Sequence, residues 1–283
     1  VTAVSAAMID GTGLEGFNKL FPKRMFDVGI AEGHAVTFAA GLAKAGLKPY
    51  VAVYSTFLQR AYDQIIEDVC LQELPVTFCI DRAGIVGADG ETHHGIFDIS
   101  YLRHIPNMTI MAPKDGDELE AMLEYSLQLD GPCAIRYPRG SAETIGKTNK
   151  IQIGKSHQLK RGTDVEIWSV GTMAKIVLEA ADILKSNGIS ASVINAEFIK
   201  PLDKEKLEKS ASKYPLIVTV EDNMVSGGFG ESVKEYLKGN DLKVINVGWP
   251  DSFIEHGTAD ELYKKHGMDA KSIAERIIKE LER

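Results

Sequence analysis

The chain has 283 residues, 44% hydrophobic and 25% charged, an ordinary globular composition with length enough for two domains, each with its own core. Its net charge of -8 excludes a general nucleic-acid or anionic-membrane binder, so an anionic ligand would have to meet locally placed cations. Three scattered cysteines, Cys70, Cys79 and Cys133, exclude a disulfide framework or a structural zinc set, and no apolar run reaches membrane-spanning length. With no signal-peptide pattern visible, the expected compartment is the cytoplasm.

Residues 1–8 read as the middle of a folded α/β pattern, which gives the expectation that the chain begins inside a larger architecture. A short strand over 25–28 then runs through a glycine-broken turn into a small-residue helix over 32–44, which Gly46 ends. Strands follow at 50–54 and 76–80, separated by a helix over 57–71. Residues 82–95 form a loop with four glycines, and a brief helix spans 98–104. After a strand at 108–111, Asp115 opens a helix with Glu118 at capping-box spacing, and Leu119, Met122, Leu123 and Leu127 share one face. The next strand is 133–136. Residues 141–160 turn polar and aperiodic, reading as a linker plus a hairpin, and put a boundary between domains 1–145 and 146–283. Alternation resumes with strands at 165–170, 191–195, 216–220 and 244–247. Helices are predicted at 174–186, 204–213, 228–237, 259–266 and 271–281, the last capped by Asp269. Apolar strands alternating with helices predict two α/β domains, each with a parallel sheet covered on both faces, the second smaller.

Four stretches carry candidate chemistry. Glu32 sits at the strand-to-helix join among apolar neighbours. A carboxylate there is costly to bury unpaired, although an acidic residue at a helix start is more often a dipole partner. Tyr54 and Phe57 lie where a strand ends and a helix begins, the edge at which open α/β sheets collect ligands, and offer a flat surface to a heteroaromatic ring. Core packing is the plainer reading of both. The loop over 81–95 is long and glycine-spaced, which is uncommon without a function. Its Asp89, Glu91, His93 and His94 include metal-ligand types but lack zinc-site spacing, and a histidine near an aspartate fits proton transfer or substrate hydrogen bonding better. Arg82 and Arg139 follow two different strands, and would form a two-forked phosphate site if those strand ends converge. In the second half, Asp222-Asn223 and Ser226-Gly227-Gly228-Phe229-Gly230 resemble an anion-binding turn but lack a Walker lysine and Rossmann spacing, so plain helix-start geometry is expected.

Taken together and in order, residues 27–37, 54–64, 81–95 and 137–140 closely resemble the transketolase-like thiamine diphosphate family, in its 1-deoxy-D-xylulose-5-phosphate synthase branch. The resemblance continues through Lys200-Pro201-Leu202-Asp203, Glu221-Asp222-Asn223 and Gly227-Gly228-Phe229-Gly230. It implies a pyrimidine-binding domain followed by a transketolase C-terminal-like domain. It implies that Glu32 hydrogen-bonds the aminopyrimidine of thiamine diphosphate, that Phe57 stacks on that ring, and that Tyr54 lies beside the substrate. Arg82 and Arg139 then bind the phosphate of glyceraldehyde 3-phosphate, and Asp89 and His93 contact the substrate. The implied reaction condenses pyruvate with that aldehyde with loss of CO2, toward isoprenoid precursors, thiamine and pyridoxal, in a homodimer.

Two departures stand out. The family usually places Gln or Glu where this chain has Gly33, and a glycine there is expected to loosen the turn that places Glu32. The family's Gly-Asp-Gly motif, which holds Mg2+ and the cofactor diphosphate in an amino-terminal domain, is absent, so the chain holds no metal site of its own and is expected to be inactive without that domain. Other readings are the small subunit of a split transketolase, a 2-oxoacid dehydrogenase β-like subunit, or a non-catalytic assembly fragment. Arg82 and Arg139 together with His93 favour the synthase.

Overall fold

The computed structural model describes every residue except Ala142, Asp241 and Arg283; the first of these falls in the stretch expected to be a linker. Its strands are β1 (Thr2–Ser5), β2 (Met25–Asp27), β3 (Pro49–Tyr54), β4 (Thr77–Asp81), β5 (Thr109–Met111), β6 (Cys133–Arg136), β7 (His157–Lys160), β8 (Val165–Ser169), β9 (Ala191–Asn195), β10 (Phe198–Lys200), β11 (Leu216–Met224) and β12 (Lys243–Trp249). They form two mainly parallel sheets, as the apolar runs predict. The first has the order β10-β5-β6-β4-β3-β1-β2 and the second β12-β11-β8-β9-β7. One edge strand in each runs antiparallel, β10 against β5 and β7 against β9.

The first sheet is apolar on both faces because it is covered on both. Val4, Val51, Val53, Phe78 and Ile80 pack on the helix Glu32–Lys44 and the helical run 55–70 through Val36, Ala39, Leu58, Ile65 and Val69. Met111, Cys133 and Ile135 face the other way, onto Met122 of the helix Gly116–Ser126. The domains are not independent bodies: one buried cluster runs from Val4 through Trp168 and Ile194 to Phe229 and Leu237.

Several expectations need correction. Among the described residues, the stretch 141–160 holds no hairpin; β7 instead closes the edge of the second sheet beside β9. A short helix, Glu15–Leu20, and strands β1 and β10 had no strong periodicity to announce them. The helix expected over 57–71 is a run of unlike turns, α at Ser55–Leu58, 3-10 at Gln59–Ala61 and π at Ile65–Cys70, so side chains along it do not keep one regular face. Strand β11 continues past its apolar run through Glu221, Asp222 and Asn223, all buried.

Because β1, β2, β3, β4 and β6 are parallel, their carboxyl ends open on one edge of the sheet. That edge gathers Tyr54, the last residue of β3, and Gly11, Glu32, Arg82 and Arg139, each one to six residues beyond a strand end.

Candidate active site

Glu32 is the first residue of its helix and is only 3% exposed. The turn before it is built by Asp27, whose carboxylate accepts from the Ala7 and Gly29 amides at 2.8 and 3.0 Å, with Gly29 at a left-handed φ of 71°. Arg60, from the tight turn of the helical run, donates to Glu32 Oε1 at 2.7 Å. The second oxygen accepts no hydrogen bond among the described residues. Gly33 continues the helix, and the Arg60 bond holds one oxygen of Glu32 from outside it. A Cβ at Gly33 would lie 3.1 Å from Gln64 Oε1, the free end of a flexible side chain.

An aromatic wall continues from this carboxylate. The Arg60 guanidinium carbon stands 5.0 Å from the centroid of Phe57. Phe57 stacks with Tyr54 at 5.7 Å and meets the edge of His93 at 5.3 Å. Thr56 Oγ1 donates to the Thr92 carbonyl at 2.9 Å, which holds the His93 turn over the wall. On the far side of Tyr54, the Arg82 guanidinium carbon lies 3.6 Å above the ring. Tyr54 is tightly seated, because a Cβ at Gly11 would overlap its hydroxyl.

Arg82 and Arg139 do converge, both lining one cleft of about 490 Å³ with Gly11, Thr12 and Lys175. Their settings differ. Arg82 is nearly buried, at a left-handed φ of 58°, pairs with Asp81 at 3.1 Å and donates to the Gly11 carbonyl at 2.8 Å. Burial raises the Asp81 carboxyl above its usual range, against the pull of Arg82. Arg139 is half exposed and holds Asp89 at 2.6 Å.

Of the four metal-type residues in the loop, Asp89 is thus paired with an arginine. Glu91 is exposed, His93 packs on Phe57, and His94 is buried and turned away. The Val86 amide donates to His94 Nδ1 at 3.4 Å, so Nε2 carries the proton toward the Glu255 carbonyl at 3.2 Å. Among the described residues no three His, Cys, Asp or Glu side chains converge as a metal set.

The glycine turn of the second domain is the expected helix start. The fully buried Glu221 accepts from the Phe229 and Gly230 amides at 2.7 and 2.8 Å, so an internal carboxylate already occupies that helix terminus.

Sequence reasoning overlooked Arg60, Asp81 and Gly11. Arg60 was visible as a cation one turn beyond Phe57, and Asp81 as the acid adjoining Arg82; nothing in sequence marks Gly11. The assembled arrangement offers a carboxylate with one free oxygen, a flat aromatic surface and a two-arginine cleft. It suits a polar heteroaromatic ring and a phosphorylated substrate.

Residues 1–144 match the transketolase pyrimidine-binding domain and residues 154–273 the transketolase C-terminal domain. A 1-deoxy-D-xylulose-5-phosphate synthase from Caldanaerobacter subterraneus subsp. tengcongensis is 54% identical over 98% of this chain and 45% of its own length. One from Syntrophotalea carbinolica is 51% identical over 98% of this chain and 44% of its own. The chain therefore spans about half the length of these relatives. Among solved structures, a split-gene transketolase described as an inactive beta4 tetramer matches with a TM-score of 0.89 and 31% identity over 99% of this chain and 91% of that one. A transketolase from Campylobacter jejuni shares the fold at a TM-score of 0.81 and 18% identity, covering 98% of this chain and 43% of its own.

Proposed function

Since the chain belongs to the transketolase family, we propose that it is the pyrimidine-binding and C-terminal part of a 1-deoxy-D-xylulose-5-phosphate synthase. The family depends on thiamine diphosphate. Its substrates here are pyruvate and glyceraldehyde 3-phosphate, and it works as a homodimer in the cytoplasm, completed by a diphosphate-binding domain that brings Mg2+. Glu32 carries this reading, as a buried carboxylate with one oxygen committed to Arg60 and the other free. The free oxygen suits a hydrogen bond to the cofactor's aminopyrimidine, and the exposed part of Phe57 suits its flat face.

When bound, thiamine diphosphate supplies the nucleophilic carbon and the electron sink that let a 2-oxoacid lose CO2 and its two-carbon unit join an aldehyde. The chain's own residues do the rest. Arg60 holds one oxygen of Glu32, which leaves the other to face the cofactor's ring, and closure of the site over that ring would remove the water around it. There, a strong hydrogen bond shifts a proton equilibrium that water would level. Arg82 and Arg139 offer guanidinium donors to the aldehyde's phosphate. Arg82 is preset by Asp81, Gly11 and Tyr54, while Arg139 has to exchange Asp89 for the phosphate or share it. His93, braced by Phe57 and Thr92, is the side chain best set to hold a proton near the substrate's oxygens.

In the assembled enzyme, Glu32→Gln should lower kcat by about a hundredfold or more while the fold, by circular dichroism, is unchanged. Full activity in that variant removes the assignment. A second reading, the small subunit of a split transketolase, draws on the 91% coverage of the split-gene chain. It is separated by donor choice, pyruvate against a ketose phosphate.

A further inference from the structure

We infer that the second domain sets the working position of the loop over 84–95 through one buried carboxylate, Asp222, which makes Asp222 a positioning residue for the site. This rests on the functional reading above only for what the loop carries, Asp89 and His93 facing the substrate. The loop is closed at its base by two reciprocal bonds, Gly84 N–H to the Gly95 carbonyl at 2.7 Å and Gly95 N–H to the Gly84 carbonyl at 2.8 Å. Just inside that base, the Ile85 amide donates to both Asp222 oxygens at 3.2 Å each. Asp222 is 4% exposed and is held from behind by two further donors, Trp249 Nε1 and the Tyr263 hydroxyl, both at 2.6 Å. Those two rings stack with centroids 5.7 Å apart, so neither donor can swing away alone.

The same residue is tied into the first sheet through its backbone. Its carbonyl accepts from Arg136 Nη2 at 2.9 Å, and Arg136 Nε donates to Asp98 at 2.8 Å. Asp98 in turn takes the Ser55 hydroxyl at 2.9 Å, one residue beyond Tyr54. A second clasp lies farther along the loop, where buried His94 joins the Val86 amide to the Glu255 carbonyl. Contact between loop and second domain is close enough to require glycine. A Cβ at Gly84, whose φ is 83°, would overlap the Asp222 carboxylate. At Gly87, with φ 59°, it would come within 3.0 Å of the Gly257 carbonyl and 3.1 Å of the Ala259 amide.

Adhesion between domains would be served as well or better by apolar side chains, because burying a charge costs unless every lone pair finds a donor. Here the donors are found, and what the carboxylate adds over an apolar contact is direction. It points one backbone amide of the loop at one fixed atom pair in the other domain. Asp89 lies four residues beyond that amide and His93 eight, within a loop fastened at both of its flanks.

Asp222→Ala strands three donors, the Ile85 amide, Trp249 Nε1 and the Tyr263 hydroxyl, and is a blunt variant. Tyr263→Phe removes a single hydroxyl, and Gly84→Ala presses on the carboxylate from the loop side; these are the variants to use. Amide hydrogen exchange on the chain should be about tenfold faster at residues 85–94 in both, the loss of a hydrogen bond to a charged group, while exchange in β8 is unchanged. In the assembled enzyme the KM for the aldehyde phosphate should rise about tenfold with kcat within about threefold. Unchanged loop exchange in both folded variants overturns the inference. If the loop loosens but the assembled parent turns over neither pyruvate nor the aldehyde phosphate, the functional reading fails and the positioning role stands.

Discussion

Two arginines share one cleft but differ in how firmly they are held. Arg82 is preset by Asp81, the Gly11 carbonyl and the face of Tyr54, whereas Arg139 has only an exposed pair with Asp89. An ion pair of that exposure is worth no more than about 1 kcal/mol, so a phosphate can take Arg139 from Asp89 at little cost. Arg139→Ala should therefore raise the KM for glyceraldehyde 3-phosphate about tenfold or more, the loss of charge-assisted bonds, and leave that for pyruvate within about twofold. Steady-state kinetics on both substrates checks this, and equal effects remove the phosphate role. Both arginines were legible in the sequence because each follows an apolar strand of the same parallel sheet. Arg60 was not, because its reach to Glu32 depends on the unlike turns of the run after Tyr54, which no periodicity encodes. Gly33 was legible as an oddity, but the restraint that Arg60 puts on Glu32 from outside its own helix was not.

Strand β11 and the helix Phe229–Tyr236 form a unit in which Glu221 caps the helix from within the sheet. The glycines of the connection are obligatory: a Cβ at Gly228 would overlap the Glu221 carboxylate, and one at Gly230 the Thr219 hydroxyl. Burial pushes the Glu221 carboxyl up to about 7. The folded state thus holds this proton more tightly than an unfolded chain, whose glutamates release theirs near pH 4.3. The contribution of Glu221 to stability is then complete in acid below that pH and is lost as pH rises toward about 7. Relative to Glu221→Gln, the parent should lose stability across that window, with the gap constant above about pH 8. Denaturant unfolding of the two proteins at a series of pH values measures it; parallel profiles would contradict the linkage. This unit also explains why the end of β11 was illegible. Glu221, Asp222 and Asn223 look like the polar close of a strand, yet each is buried because its partners come from the helix start or from the first domain. Edge strands β7 and β10 escaped notice for the opposite reason: their residues are ordinary, and only tertiary pairing makes them strands.

At the scale of the whole molecule, two parallel sheets share a continuous core and cooperate at one edge. The first brings the carboxylate, the aromatic wall and the two arginines together; the second fastens the loop that carries Asp89 and His93. The α/β alternation made this architecture legible, since buried parallel strands are written as apolar runs between helices. The contact between the domains was not, because its apolar cluster and its hydrogen bonds both join residues far apart in sequence. On the proposed reading, this edge forms the pyrimidine side of a thiamine diphosphate site that works on pyruvate. The chain combined with a diphosphate-binding domain of a 1-deoxy-D-xylulose-5-phosphate synthase, thiamine diphosphate and Mg2+ puts it to the test. Given pyruvate and glyceraldehyde 3-phosphate, the mixture should release CO2 and form 1-deoxy-D-xylulose 5-phosphate in equal amounts, and neither component should do so alone. Turnover of a ketose phosphate in place of pyruvate would contradict it.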